Sequence, residues 1–242
     1  HTWANLQDNG LTVGSPSITT DPPPVFDYNA YLNLLQTNKH NFIRLWKLDI
    51  TKYFYGSSFT FVQPHPWNRS GPGTANDGKA KFDLYQFNQA YFDRLRSRVI
   101  AARDRGIYVG VMFFSGGYVR VNPASNWLHH PFHSGNNVNG INGDPNGDGL
   151  AEETMAASSS SLVVPAVLAL QKAYIRKVID TVNDLHNVLY EICNESKVSS
   201  STEWQYELIN YVKSYEATKP KRHPVGMTSQ SGALASNYGI LW

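Results

Sequence analysis

Short apolar segments at 41–46, 107–114 and 188–193 alternate with longer stretches of helical period, and this alternation commits the chain to a parallel α/β architecture. The run at 107–114 is almost unbroken in its apolar character, as expected of a strand covered on both faces. The helical stretches are equally legible. Residues 27–38 carry Tyr28, Tyr31, Leu32, Leu34 and Leu35 behind Asp27, a residue suited to an N-cap. Residues 85–105 place Phe87, Tyr91, Phe92, Leu95, Val99 and Ala102 on one stripe, closed by Gly106. Pro165 opens a third helix running to about 186, and 202–217 forms a fourth, followed by a strand at about 223–228. Segments 47–84 and 115–164 lack a period, are rich in Pro, Gly and Ser, and are expected to be loops throughout. Both follow strands, and long loops at the C-terminal ends of parallel strands usually carry function. A doubly wound open sheet is the structural rival, but no Gly-rich phosphate turn follows any strand.

A chain of 242 residues fits a single domain, since one (β/α)8 barrel takes about 250. With 41% hydrophobic and 17% charged residues it can bury a real core. The net charge of +2 arises from interspersed signs, so neither nucleic acid nor an anionic membrane is the expected partner. No apolar run approaches the roughly 20 residues of a membrane helix, and no signal peptide is visible. The first residue is His1, so a processed or truncated N-terminus is expected. Cys193 is the only cysteine, which rules out an internal disulfide and leaves the redox compartment unread. Aromatic residues make up 13% and fall often in the loop-like stretches. Their rings suit stacking on sugars, and suit ordinary packing nearly as well.

The densest chemical signal is Tyr190-Glu191-Ile192-Cys193-Asn194-Glu195-Ser196. An apolar strand runs straight into Asn-Glu, which sets a carboxyl group at the C-terminal rim of the sheet. Cleaving a glycosidic bond needs such a group to protonate the leaving oxygen, and the same group later activates water. The neighbouring amide can hold a sugar hydroxyl. The plainer alternative is that Glu195 only caps the loop that follows. Glu191 falls on the same strand face four residues deeper, where a charge needs a partner, and Arg44 is the candidate.

Tyr-Glu-Ile-x-Asn-Glu resembles strand four of glycoside hydrolase clan A, which includes the family 5 cellulases. The resemblance implies a (β/α)8 TIM-barrel fold, a retaining glycosidase, and Glu195 as catalytic acid/base. Asn41-Phe42-Ile43-Arg44-Leu45-Trp46 is similar to strand two of that clan, whose Arg supports the nucleophile, so Arg44 takes that role by implication. His1-Thr2-Trp3 resembles the end of strand one, and residues 108–114 resemble strand three. Strands one to five are then represented, and the nucleophile, a Glu at the end of strand seven in the clan, is expected beyond Trp242. The chain is thus expected to be a truncated barrel, with a carbohydrate substrate, no protein partner implied, and secretion inferred from the resemblance. Glu203, Glu207 and Glu216 lie on a helix with mostly solvent-facing spacing and are not credible substitutes.

Further candidates lie in the loops. Trp3, Trp46, Trp67, Trp127 and Arg69 are candidates for sugar stacking and hydroxyl recognition, with loop packing as the equal alternative. His129-His130-Pro131-Phe132-His133 lacks the accompanying residues of a zinc site, and His130 is expected to line the sugar cleft. Asp144-Pro145-Asn146-Gly147-Asp148-Gly149 matches the first half of a calcium loop, with Asp144, Asn146 and Asp148 as ligands. The usual twelfth-position Glu is replaced by Met155, while Glu152 and Glu153 stand nearby; the alternative is a solvated turn. No cofactor is expected for catalysis, and calcium would be structural. No Gly-x-Ser-x-Gly occurs, which disfavours a serine hydrolase. Asn68-Arg69-Ser70 and Asn194-Glu195-Ser196 are formal glycosylation sequons, the second discounted because a glycan would block the proposed site. The alternative function is a non-catalytic carbohydrate-binding protein on the same scaffold.

Overall fold

The computed structural model describes residues 2–9, 21–55, 58–120, 124–196 and 198–227. Five strands form one parallel sheet: β1 (Thr2–Asn5), β2 (Phe42–Trp46), β7 (Tyr108–Ser115), β8 (Val188–Asn194) and β9 (Val225–Gly226), hydrogen-bonded in that order. Consecutive parallel strands with a crossover between each pair make an open, partial barrel. The strand expected at 223–228 is shorter, and Thr228 lies outside the described residues.

Three long helices cover one face. Helix α1 (Tyr28–Thr37) is capped by Asp27, whose carboxylate accepts the Ala30 amide at 2.9 Å, and it buries Tyr28, Leu32 and Leu35. Helix α2 (Gln89–Arg103) ends at Gly106, which adopts φ +70, a conformation that costs glycine little. Helix α5 (Pro165–Val182) starts with proline at its first turn, where no amide is missed. Behind β8 and β9 runs α6 (Val198–Glu216), which buries Trp204, Leu208, Ile209 and Val212. Strand β7 is central, with every residue after Tyr108 buried, as the apolar run requires.

The segment 47–84 is not loop throughout. It holds an antiparallel ribbon of β3 (Lys52–Tyr55) and β4 (Ser58–Phe61), then β5 (Trp67–Asn68) paired with β6 (Asp83–Phe87). Strands of two to five residues are drowned in sequence by the surrounding Pro and Gly. Cross-strand contacts hold the first ribbon: Lys52 Nζ lies 3.8 Å from the centre of the Phe59 ring. The segment 115–164 similarly contains two one-turn helices, α3 (Gly117–Arg120) and α4 (Ala124–Trp127), and a 3₁₀ turn at Glu152–Met155.

Glu216 corrects the expectation of a solvent-facing side chain. It is 1% exposed, and its carboxylate accepts from Asn183 Nδ2 (2.8 Å), the His223 amide (2.8 Å) and His223 Nδ1 (2.7 Å). Burial pulls His223 down, but the bond to Glu216, the bond to the Leu185 carbonyl and the Glu216 charge together outweigh it and raise the imidazole above its ordinary value. His65 and His130 go the other way. Burial, then the Arg69 charge, lowers His65 to about 3, and burial, then Lys47, holds His130 well below the usual range.

These shifts fix a pH dependence. His65 and His130 are neutral when folded, so below about pH 6.5 unfolding takes up protons there and stability falls with pH, by about 1.4 kcal/mol per pH unit for each. His223 contributes in the opposite sense: its stabilisation is full below about pH 6.5 and is lost as pH rises through its folded pKa. Burial lowers His133 as well, so three histidines outweigh one, the melting temperature should drop between pH 7 and 5.5, and His65→Asn should flatten that slope. A melting temperature that holds or rises over the interval would contradict the assignment.

Candidate functional site

Register decides which side chains meet at the C-terminal rim. Trp3 pairs with Arg44, Asn5 with Trp46, Met112 with Glu191, and Ser115 with Asn194. Side chains two apart share a face, so Trp3, Arg44, Trp46 and Glu191 line the face turned away from the helices. Strand β8 then delivers Asn194 and Glu195 to the rim.

Arg44 organises this face. Its Nε donates to Glu191 Oε2 at 2.9 Å, its Nη2 contacts Glu191 Oε1, and Nη2 also donates to Asn194 Oδ1 at 3.0 Å. A two-pronged guanidinium–carboxylate contact fixes orientation as well as charge. The Arg44–Glu191 pairing expected from sequence is therefore present, and Arg44 also holds the Asn194 amide group by its oxygen. Arg44 also lies 5.1 Å from the Trp46 ring centre, and Trp46 stacks on Trp3 at 4.9 Å and 22°. Trp3 is 46% exposed, so its outer face is open to solvent. The indole N–H of Trp46 is buried and meets no acceptor among the described residues.

Glu195 leaves the strand in a left-handed conformation, φ +54, and its side chain is exposed at the rim. Non-glycine residues seldom adopt this backbone, and such strain collects at functional sites. Beneath it, the Gly116 amide donates to the Asn194 carbonyl at 2.8 Å. The Ser115 amide donates to Asp49 Oδ2 at 2.6 Å, and Asp49 pairs with Lys47. Lys47 is 1% exposed and its ammonium sits 4.5 Å from the Tyr174 ring centre and 5.2 Å from that of Phe114. Tyr118 is held as a neutral phenol: burial pushes it up, and the charges of Asp49 and Glu195 add to this. Lys47, Asp49 and Tyr118 were not legible as site residues. Lys47 and Asp49 carried a faint signal, two charges of opposite sign on one face directly after a strand; Tyr118 carried none.

Other expectations are corrected. Trp67 is 3% exposed, packed against Phe132 (5.3 Å) and Tyr174 (6.1 Å), so no ring face is open to a sugar. Trp127 is likewise buried. His130 is packed between Trp127 (5.1 Å) and Phe132 (5.0 Å), and its Nδ1 accepts the Phe132 amide, which places it behind the rim rather than in a cleft. Arg69 braces its own loop: it pairs with Asp77, donates to the Ala80 carbonyl, and lies 4.1 Å over the Phe82 ring. It lines a separate cavity of about 440 Å³ with His65, Lys79 and Arg94.

The calcium-like loop is closed by its own amides. Asp144 accepts from Gly147 (2.9 Å) and Gly149 (3.0 Å), Asn146 from Asp148, and Asp148 from Leu150. Among the described residues, no three His, Cys, Asp or Glu side chains converge as a metal site. No helix of the described residues is long and apolar enough to cross a membrane.

This fold recurs among solved structures. A glycoside hydrolase family 5 mannosidase from Rhizomucor miehei matches with 13% identity and a TM-score of 0.50, over 84% of this chain and 46% of that one. A second glycoside hydrolase matches with 11% identity and a TM-score of 0.50, over 88% and 50%. A family 5 glycoside hydrolase from Bacteroides vulgatus is similar over 83% of this chain, with 15% identity and a TM-score of 0.44; the chain spans only 31% of its length. The sheet is thus a parallel α/β sheet of the kind found in glycoside hydrolase barrels. No curated protein sequence matches the chain. The chain belongs to the DUF6298 family, a domain of unknown function, which matches residues 37–232.

Proposed function

We propose that the protein of which this chain is part is a retaining glycoside hydrolase acting on a poly- or oligosaccharide, with Glu195 as its general acid/base. The observation that carries the reading is the exposed Glu195 carboxyl group on a left-handed residue, next to an Asn194 held by the Arg44–Glu191 pair. In the first step Glu195 gives its proton to the leaving glycosidic oxygen; in the second it takes one from water. Asn194 orients a sugar hydroxyl, and the open face of Trp3 offers a stacking platform. A retaining mechanism needs a second carboxylate about 5–5.5 Å from the first. Glu191 is engaged by Arg44 through both oxygens, so the proposal draws the nucleophile from outside the described residues. The test is hydrolysis of a panel of plant and microbial glycans by the whole protein. Release of new reducing ends supports the reading; tight binding with no release favours the non-catalytic carbohydrate binder.

A structural calcium in the 144–149 loop is proposed on separate grounds. Side-chain oxygens recur at alternate positions there, and Glu153, 4% exposed, keeps an oxygen without a hydrogen-bond partner. Calcium should raise the melting temperature by mass action. Equal melting in calcium and in chelator would leave the loop as a turn closed by its amides alone.

A further inference from the structure

The turn after β7 holds two adjacent glycines, and each faces Glu195. A Cβ on Gly116 would stand 2.7 Å from the Glu195 carbonyl oxygen and 2.8 Å from Ser196 Cα. A Cβ on Gly117 would stand 2.7 Å from Glu195 Oε2, one of the carboxylate oxygens itself. Carbon atoms do not approach this closely without displacement. Neither glycine needs its freedom for its own backbone, since neither adopts a positive φ; the residue with the left-handed backbone is Glu195. Their missing side chains therefore serve the residue across from them.

We propose that Gly116 and Gly117 form a seat for Glu195, in which Gly116 admits its left-handed backbone and Gly117 sets where its carboxyl group lies. The two positions differ in kind. At Gly116 the obstructed atoms are backbone, so a side chain there would deform the chain locally. At Gly117 the obstructed atom is the end of a flexible side chain, which can swing away while the fold stays intact. Gly117 is thus a positioning residue for the acid/base group, a role that rests on the function proposed above. Its placement at the first residue of α3 is compatible with alanine, which helices favour.

The test is Gly117→Ala in the whole protein, read two ways. The first readout needs no activity: the Glu195 carboxyl resonance, assigned by its loss in Glu195→Gln, is titrated by carbon NMR. The seat predicts a changed shift and midpoint in Gly117→Ala at an unchanged melting temperature. The second is kinetic: kcat on a glycoside with a poor leaving group should fall on the order of 100-fold with KM little changed, as displacement of a reacting group by about 1 Å costs. An aryl glycoside that needs no protonation should lose far less in its first step. An unaltered Glu195 titration in folded Gly117→Ala overturns the seat, whether or not the protein hydrolyses sugars. Absence of hydrolysis in the wild type, with the titration shifted in the variant, instead overturns the functional reading and leaves the seat standing. Should Gly117→Ala not fold, Gly117→Ala/Glu195→Ala removes the obstructed carboxyl group. Folding of that double variant supports the seat, and its failure overturns it.

Discussion

Glu195→Gln is expected to leave the fold intact and to lower turnover on natural glycans by roughly 10²–10⁴-fold, the usual contribution of general acid catalysis. Glutamine matches the shape of the acid and cannot release a proton to the leaving oxygen. The side chain is exposed at the rim, so its neutral replacement disturbs no core packing. The loss should follow the leaving group: large for an alkoxide, small for a phenolate that departs without a proton. Deglycosylation should slow in every case, because the same group activates water in that step. Unchanged turnover on a natural glycan would remove Glu195 from the reaction.

The largest expected effect on stability comes from Lys47→Met. Lys47 and Asp49 are 2% and 6% exposed in their side chains and pair with each other beneath the rim. Removing the cation leaves Asp49 charged, buried, and bonded to the Ser115 amide alone among its described contacts. Breaking one half of a buried pair costs about 3–5 kcal/mol. For a chain of this size that corresponds to a melting temperature lower by on the order of 10 °C. Lys47→Met/Asp49→Asn should recover most of it, since asparagine is neutral and still accepts the Ser115 amide. A single variant that melts within a degree or two of wild type, or a double variant no better than the single, would contradict this account of the pair.

The sequence made β2, β7 and β8 legible because they are apolar runs of the right length, each next to a helix of clear period, whereas β1 was reached only through the resemblance of His1-Thr2-Trp3. The pairing of Arg44 with Glu191 was legible for a related reason: a charge that deep on the strand face needs a partner, and Arg44 stood on a neighbouring strand. Asn194 is an odd step from Glu191, so alternation alone does not predict that Arg44 also reaches its Oδ1. What escaped was whatever depends on a loop folding back. Trp67 and His130 sit in polar segments, where an aromatic residue open to solvent and one roofed by its own loop have the same sequence neighbours. Glu216 shows the same limit on a helix: its position relative to the apolar stripe suggested exposure, but His223 and Asn183, from beyond the helix ends, close over it. The ribbon strands β3 and β4 were masked by shortness, and the role of Gly117 by the absence of any side chain to notice.

The central claim is that Glu195 delivers and retrieves the proton in a retaining hydrolysis, and chemical rescue tests it most directly. In Glu195→Ala the site has room for a small anion and no base to activate water. With an aryl glycoside that leaves unaided, added azide should raise turnover and yield a glycosyl azide of the same anomeric configuration as the substrate. Wild-type turnover by Glu195→Ala, with azide changing neither rate nor product, would contradict it.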